Sequence, residues 1–259
     1  MKLDFDGEKY KLASGQQKTW GRTLIGELAL RGDERILDLG CGDGSLTAEL
    51  AALVPRGSVL GVDASASMIE TARKDHAGPN LRFEQLDIDA INFQAEFDVV
   101  FSNATLHWIK DHESLLKNVF DGLKRGGAAR FQFAASGNCS TLIRVVREVM
   151  AQRHYAAYFR DFDWPWYMPT AEEYRSLLDA ALFVETKVWC ENADKHFESA
   201  DAMTKWIDQP SLVPFLARID RKDRQRFRDA VVERMIKETM QDDGTCFETF
   251  RRINVFARK

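Results

Sequence analysis

The seven residues Asp38-Leu39-Gly40-Cys41-Gly42-Asp43-Gly44 constrain the fold of this chain most. They follow the apolar run RILDLG (35–40) and precede a stretch that carries Leu46, Leu50 and Leu53 at helical spacing. A buried strand that turns into a helix over alternating glycines opens a βαβ unit, because glycine allows the tight turn and the close approach of a ligand to the backbone. The alternation continues. SVLGVD (58–63), LRFEQLD (81–87), FDVVFSN (97–103) and GAARFQFAA (127–135) predict four more strands. Ser65 is placed to cap the helix after the second strand, and Leu116, Val119, Phe120 and Leu123 share one face of a helix that Gly126 and Gly127 end. The expected class is α/β, a doubly wound, mostly parallel seven-stranded sheet covered by helices.

Past Ser136 the alternation breaks. Tyr155, Tyr158, Phe159, Phe162, Trp164, Trp166 and Tyr167 cluster before Pro169, which reads as a helical and aromatic lid. Thr170 and Glu173 have the spacing of a capping box for a helix through Leu177, Leu178 and Leu182, followed by a strand from Phe183 to Cys190. A second insertion ends in a helix from about Asp220 with Phe227, Val231 and Met235 on one stripe, and TFRRINVFARK closes the chain as a strand. The reading is one domain over 1–259, with a ligand-binding half at 34–135, lid insertions at 136–169 and 195–243, and closing helix and strands at 170–194 and 244–259.

Composition narrows the partners. With 45% hydrophobic and 29% charged residues the 259-residue chain has the makeup of a globular protein. Its formal charge of −4 is interspersed, so it offers no electrostatic footprint for nucleic acid. Cys41, Cys139, Cys190 and Cys246 form no C-x-x-C pair, which argues against a zinc site or a disulfide framework and for a reducing, cytoplasmic setting. The first residues are polar and no apolar run approaches the ~18 residues of a membrane span, so no membrane partner is expected.

The glycine-rich turn implies a nucleoside-type cofactor, and Asp63, twenty-three residues after Gly40, ends the second strand where a carboxylate can accept from ribose hydroxyls. Dinucleotide binders show G-x-G-x-x-G, with a helix N-terminus facing pyrophosphate. Here the spacing is G-x-G-x-G, and Asp38 precedes it. An acid tolerates the ammonium and sulfonium of S-adenosylmethionine better than phosphates.

On these residues the chain resembles the class I S-adenosylmethionine-dependent methyltransferases, whose glycine motif matches 38–44 and whose ribose acid matches Asp63. The resemblance implies that Asp87 meets the adenine amino group, that Ile88 lines the adenine, and that Asp38, Gly40, Cys41, Gly42, Asp63, Ala64, Met68, Asn103 and Gln17 complete the cofactor site. S-adenosylhomocysteine would be the product. The stretch FSNATLHWIKDHESLL (101–116), with Tyr10, Ser14, Gln17, PSLVPFLARI (210–219) and the terminal VFARK, is similar to trans-aconitate and juvenile-hormone-acid methyltransferases; malonyl-carrier-protein methyltransferases share this layer. That similarity implies that residues 1–33 cover the cofactor, with Tyr10, Ser14, Trp108 and Tyr167 on the substrate side.

These relatives methylate carboxyl groups, which fits the absence of an obvious catalytic dyad. A carboxylate with a pKa near ~4 is ionised at pH 7 and needs no base. Were the acceptor a hydroxyl, amine or carbon, His107 would be the candidate base. His112, His154 and His196 are expected on surfaces. An acid substrate also calls for a fixed cation, and Arg144, Arg147, Arg153, Arg160 and Arg218 are candidates as a group. A cofactor-binding protein without catalysis and, less well supported by the glycine spacing, an oxidoreductase are the competing readings; oligomeric state stays open.

Overall fold

The computed structural model describes residues 15–259. Seven strands form one sheet: β1 (Arg35–Leu39), β2 (Ser58–Asp63), β3 (Leu81–Gln85), β4 (Phe97–Asn103), β5 (Leu123–Ala134), β6 (Val184–Asn192) and β9 (Arg251–Arg258), in the order β3-β2-β1-β4-β5-β9-β6. The β1–β2, β2–β3, β1–β4 and β4–β5 pairs are parallel and β5–β9 is antiparallel. The strand order reverses between β1 and its neighbours β2 and β4. This is the switch point at which open α/β sheets leave a crevice beyond their carboxyl ends.

The chain divides into two compact units. The first holds the chain up to Ser136 with Trp166–Glu191 and Arg252–Lys259; the second holds Gly137–Pro165 and Asn192–Arg251. In the first unit, both faces of the central strands are covered. Leu37 and Leu39 pack with Leu116, Phe131, Phe133 and Val255, whereas Ile36 packs with Leu24, Leu50, Val99 and Phe101 on the other side. That is why the parallel strands read as continuous apolar runs rather than as alternating ones.

In the second unit, Tyr155 and Phe159 pack on Phe227, Phe162 and Trp164 on Phe215, and the Arg147 guanidinium lies 4.5 Å from the Trp164 ring centroid. The aromatic run is therefore divided, its first part packing inside this unit while Trp166 and Tyr167 belong to the sheet unit. The helix Ser140–Met150 has no side-chain cap of its own. The buried Glu248 carboxylate supplies one, accepting from the Thr141 and Leu142 amides at 3.3 and 2.9 Å.

Some boundaries differ from the sequence reading. The helix starting at His112 stops at Gly122, and Leu123 opens β5 opposite Phe97; pairing with β4 wins over helical spacing. The third strand ends at Gln85, since Asp87 turns the backbone by accepting from the Asp89 amide. The capping box of Thr170 and Glu173 is formed, but the helix ends at Ala180 and Leu182 lies beyond it, 74% exposed at φ 64°. TFRRINVFARK holds the expected closing strand, β9, which starts at Arg251; just before it β8 (Cys246–Glu248) pairs with β7 (Lys195–Phe197) in a separate two-stranded sheet. Among the described residues no helix is long and apolar enough to cross a membrane.

Candidate functional site

The turn after β1 is held by backbone geometry. Gly40, Gly42 and Gly44 take φ of 73°, 54° and 78°, and the Gly40 and Cys41 amides donate to the Val62 carbonyl at 2.8 and 3.0 Å, tying the turn to the end of β2. Asp63 sits beside it. Its two oxygens accept from the Gly42 and Ser65 amides at 3.0 and 2.9 Å, which fixes the carboxylate and leaves each oxygen a further lone pair. Ala64 follows, and Met68 is buried in the first turn of the next helix, whose N-cap is Ser65.

Gln17, Asp38, Gly40, Cys41, Gly42 and Asn103 line one cavity, together with Lys18, Asp43 and Leu46, none of which the sequence singled out as a site residue. Asp38 is buried and accepts from the Thr47 hydroxyl at 2.7 Å. Burial raises its pKa to about 7, against the Thr47 hydrogen bond and assisted by the Asp63 charge. Burial likewise pushes the Cys41 thiol up. The Asn103 Nδ2 donates to the Gln17 carbonyl at 2.9 Å, and Lys18 pairs with Asp43 at 2.6 Å, so the helix Gly15–Gly26 is fastened to the turn. Asn103 Oδ1 and Gln17 Oε1 are buried with no hydrogen-bond partner among the described residues.

Asp87 lies two residues past the end of β3 and Ile88, next to it, is buried. A wider groove of about 470 Å³ opens elsewhere, at the other end of the strands, lined by Arg35, Arg82 and Glu96 among others. None of the expected site residues lines it.

The acceptor-side candidates gather on the short turn Leu106–Trp108. The Tyr167 amide donates to the His107 carbonyl at 2.8 Å, and Trp108 meets Trp166 edge-on with centroids 5.8 Å apart. His112 corrects an expectation. It is buried, not on the surface, because Asp111 caps its helix and turns the ring inward, where its nitrogens meet the Leu106 carbonyl at 3.0 Å and the Tyr174 hydroxyl at 3.1 Å. Its ring also lies 4.6 Å from that of Tyr167, so it props the turn that carries His107 and Trp108.

Burial, with the charges of Arg252 and His112, lowers the His107 pKa to about 3, and burial lowers that of His112 to about 4. Both rings stay neutral near pH 7. Between about pH 6.5 and these depressed values the unfolded chain binds protons that the folded one refuses, so both histidines withdraw stability as pH falls through that window.

Tyr10 and Ser14 lie outside the described residues. His154 is exposed and pairs with Asp223, and Arg144 pairs with Glu148 and Glu238. Sequence reasoning missed Thr47, Gln132, Asn254 and Arg252. The last three occupy alternate positions of strands whose other face is apolar, a period-two signal present in RFQF and RRINV.

A methyltransferase-domain family model matches residues 36–127, the segment that holds β1 to β4 and the glycine turn. A trans-aconitate 2-methyltransferase of Deinococcus radiodurans is 33% identical over 230 residues, 88% of each chain, and one of Variovorax paradoxus is 29% identical over 99% of each. Among solved structures, the Haemonchus contortus phosphoethanolamine N-methyltransferase 2, in complex with phosphomonomethylethanolamine and S-adenosylhomocysteine, superposes with a TM-score of 0.63 at 19% identity, covering 98% of this chain and 56% of that one. The methyl donor these proteins share is S-adenosylmethionine, and a small molecule is the acceptor class. A strand order that reverses beside an acid-flanked glycine turn, and relatives matched over nearly the whole length, have one common explanation: the chain belongs to the class I S-adenosylmethionine-dependent methyltransferases.

Proposed function

We propose that this enzyme methylates a carboxylate oxygen of a small organic acid of the trans-aconitate kind. The observation that carries the reading is His107. It is the titratable side chain on the Leu106–Trp108 turn, and with a pKa near 3 it is too weak a base to activate a hydroxyl or amine at neutral pH. An ionised carboxylate needs no such help. The names of the relatives point the same way.

The residues present fit the cofactor. Gly40 and Gly42 leave the backbone bare, Asp63 keeps a lone pair on each oxygen for the ribose hydroxyls, and Asp87 with Ile88 takes the adenine. Ala64 and Met68 flank the Asp63 side, while the unspent oxygens of Gln17 and Asn103, with Asp38 and Cys41 beneath, suit the cationic methionine end. S-adenosylmethionine supplies an electrophilic methyl group when bound. Trp108 and Tyr167, with Tyr10 and Ser14, would hold the acid in line and exclude water, which are positioning and desolvation effects.

Incubation with S-adenosylmethionine and a panel of dicarboxylic, tricarboxylic, fatty and terpenoid acids should yield a base-labile methyl ester, detected by mass spectrometry. A base-stable methylated product would refute the carboxylate assignment. Replacing Asp63 by alanine should weaken S-adenosylhomocysteine binding by about 1–3 kcal/mol, the range for hydrogen bonds to a charged group, as read by calorimetry. Unchanged affinity would remove Asp63 from the ribose site. His107→Gln should keep most of the turnover, well above the ~10²-fold loss that follows removal of a general base, and the wild-type rate should hold as pH drops through ~6.5 with the substrate ionised. Saturated turnover reduced a hundredfold, and partly recovered at high pH, would transfer the role of base to His107.

A further inference from the structure

Segment 104–109, which carries His107 and Trp108, is tied down from several sides. The Ala104 amide donates to the Gln132 carbonyl at 2.7 Å and the Thr105 hydroxyl to the Gly40 carbonyl at 3.1 Å, which joins the segment to β5 and to the glycine turn. The Tyr167 amide donates to the His107 carbonyl at 2.8 Å, and the Ile109 amide closes the turn on the Leu106 carbonyl at 3.0 Å. Ala104 itself sits at φ 56°, in the left-handed region. A residue with a Cβ stays there only when its surroundings over-determine the backbone, and such corners cluster at active sites.

The second lone pair of the Leu106 carbonyl is met from outside the turn. His112 Nε2 lies 3.0 Å from that oxygen, and His112 Nδ1 lies 3.1 Å from the Tyr174 hydroxyl. A carbonyl only accepts, so Nε2 carries the proton, and Nδ1 of the neutral ring accepts from the Tyr174 O–H. With a partner at each nitrogen the imidazole cannot turn without breaking a hydrogen bond, and the Phe133 and Tyr167 rings pack on it with centroids at 5.5 and 4.6 Å. His112 and Tyr174 are 3% and 0% exposed. Neither helix that bears them needs the pair for its own start: Asp111 caps the first, and the box of Thr170 and Glu173 caps the second. Two apolar side chains of the same shape would join the helices about as well, so the polar pair adds orientation rather than stability.

We infer that His112 and Tyr174 are positioning residues for methyl transfer: through the Leu106 carbonyl they set the Leu106–Trp108 turn, and with it the acceptor, against the glycine turn. The inference rests on the reading above that puts the acceptor beside Trp108. Neither side chain touches a reactant. Their effect is geometric, because an in-line transfer tolerates little error and a ~1 Å misplacement costs about a hundredfold in rate. Thr105 is fastened to the glycine turn and Leu106, the next residue, to His112. A shift at Leu106 therefore turns the acceptor side about a cofactor side that stays in place.

The test compares variants on trans-aconitate, with turnover counted per S-adenosylhomocysteine-binding site from calorimetric titration. His112→Phe keeps an aromatic ring and loses both hydrogen bonds. Its kcat should fall about 10–100-fold while S-adenosylhomocysteine affinity stays within about threefold. His112→Gln, whose side-chain amide returns a donor to the Leu106 carbonyl, should recover most of that loss. Tyr174→Phe should fall between wild type and His112→Phe, and it reads the same kcat should the histidine variants not fold. Nitrogen NMR of the wild-type imidazoles should show a buried ring protonated at Nε2 and bare at Nδ1. The opposite tautomer, an unchanged kcat in a folded phenylalanine variant, or equal losses in His112→Phe and His112→Gln overturns the positioning role. Trp108→Ala separates this from the reading beneath it. A raised KM there beside an unchanged kcat in His112→Phe overturns the positioning role alone; kcat and KM both unchanged in Trp108→Ala remove the acceptor from this turn, and both fall. A wild-type protein that methylates hydroxyls or amines but no acid overturns only the carboxylate reading, and the same comparison is then made on that acceptor.

Discussion

Gly40→Ala should lower S-adenosylhomocysteine affinity by about a hundredfold or more. A Cβ at this position would lie 2.1 Å from Thr105 Cγ2 and 2.6 Å from Thr105 Cβ, at a backbone φ of +73°. The left-handed conformation costs an alanine about 1–2 kcal/mol, and overpacking adds about 1–3 kcal/mol. Thr105 cannot simply swing away: its side chain is β-branched, and its hydroxyl donates to the Gly40 carbonyl at 3.1 Å. The turn must then move, and with it the bare backbone on which the proposed cofactor site depends. At 1.4 kcal/mol per tenfold, the middle of the summed range corresponds to the stated loss. Calorimetric titration of the variant measures it directly. The double variant with Thr105→Gly removes the overlap but not the φ strain, so it should regain part of the affinity; if it regains none, the contact with Thr105 is not the cause.

Phe131→Ala should destabilise the sheet unit by about 3–5 kcal/mol. Phe131 is fully buried on β5, paired in register with Ser102 of β4 and Val255 of β9, and it packs in the larger core cluster with Leu37, Leu116 and Tyr174. Its removal opens a cavity on the face of a sheet whose strands backbone hydrogen bonds hold in place, so the site collapses little. Urea unfolding followed by circular dichroism should show the midpoint fall at nearly constant slope. A loss below about 1 kcal/mol would mean that the core repacks around the gap. Since domains hold only about 5–15 kcal/mol of net stability, this one side chain accounts for a large share.

Much of the fold was legible because local and tertiary demands coincide. The apolar runs before Gly40 and at Ser58–Asp63 are buried on both faces, the Ser65 cap and the Thr170–Glu173 box are formed as their spacing implies, and Phe227, Val231 and Met235 all lie in the interior. The failures share a cause. Leu123 fits a helical stripe, yet long-range pairing with Phe97 takes it into a strand. His112 looks like a surface residue until Tyr174, sixty-two positions later, closes over it. The row of Gln132, Asn254 and Arg252 is assembled across the sheet from segments more than a hundred residues apart; the period-two pattern gives each strand a polar face but does not say which strands meet. The glycine turn was readable for the opposite reason: its parts are contiguous, and Asp63 lies at a fixed offset from it.

The position of β9 between β5 and β6 has a consequence for how the protein is made. Of the seven strands of the sheet, the one that completes it comes last in chain order, spanning Arg251–Arg258, whereas the strand it pairs with ends at Ala134. At about 5–20 residues per second, a ribosome leaves the outer edge of β5 without its partner for roughly 6–25 s. During that interval the nascent chain displays a row of unsatisfied amides and carbonyls beside Phe131 and Phe133, the kind of template on which strands from other chains add. Translation speed between Ala134 and Arg258, and whatever shields that edge meanwhile, should therefore govern the soluble yield more than the final stability does.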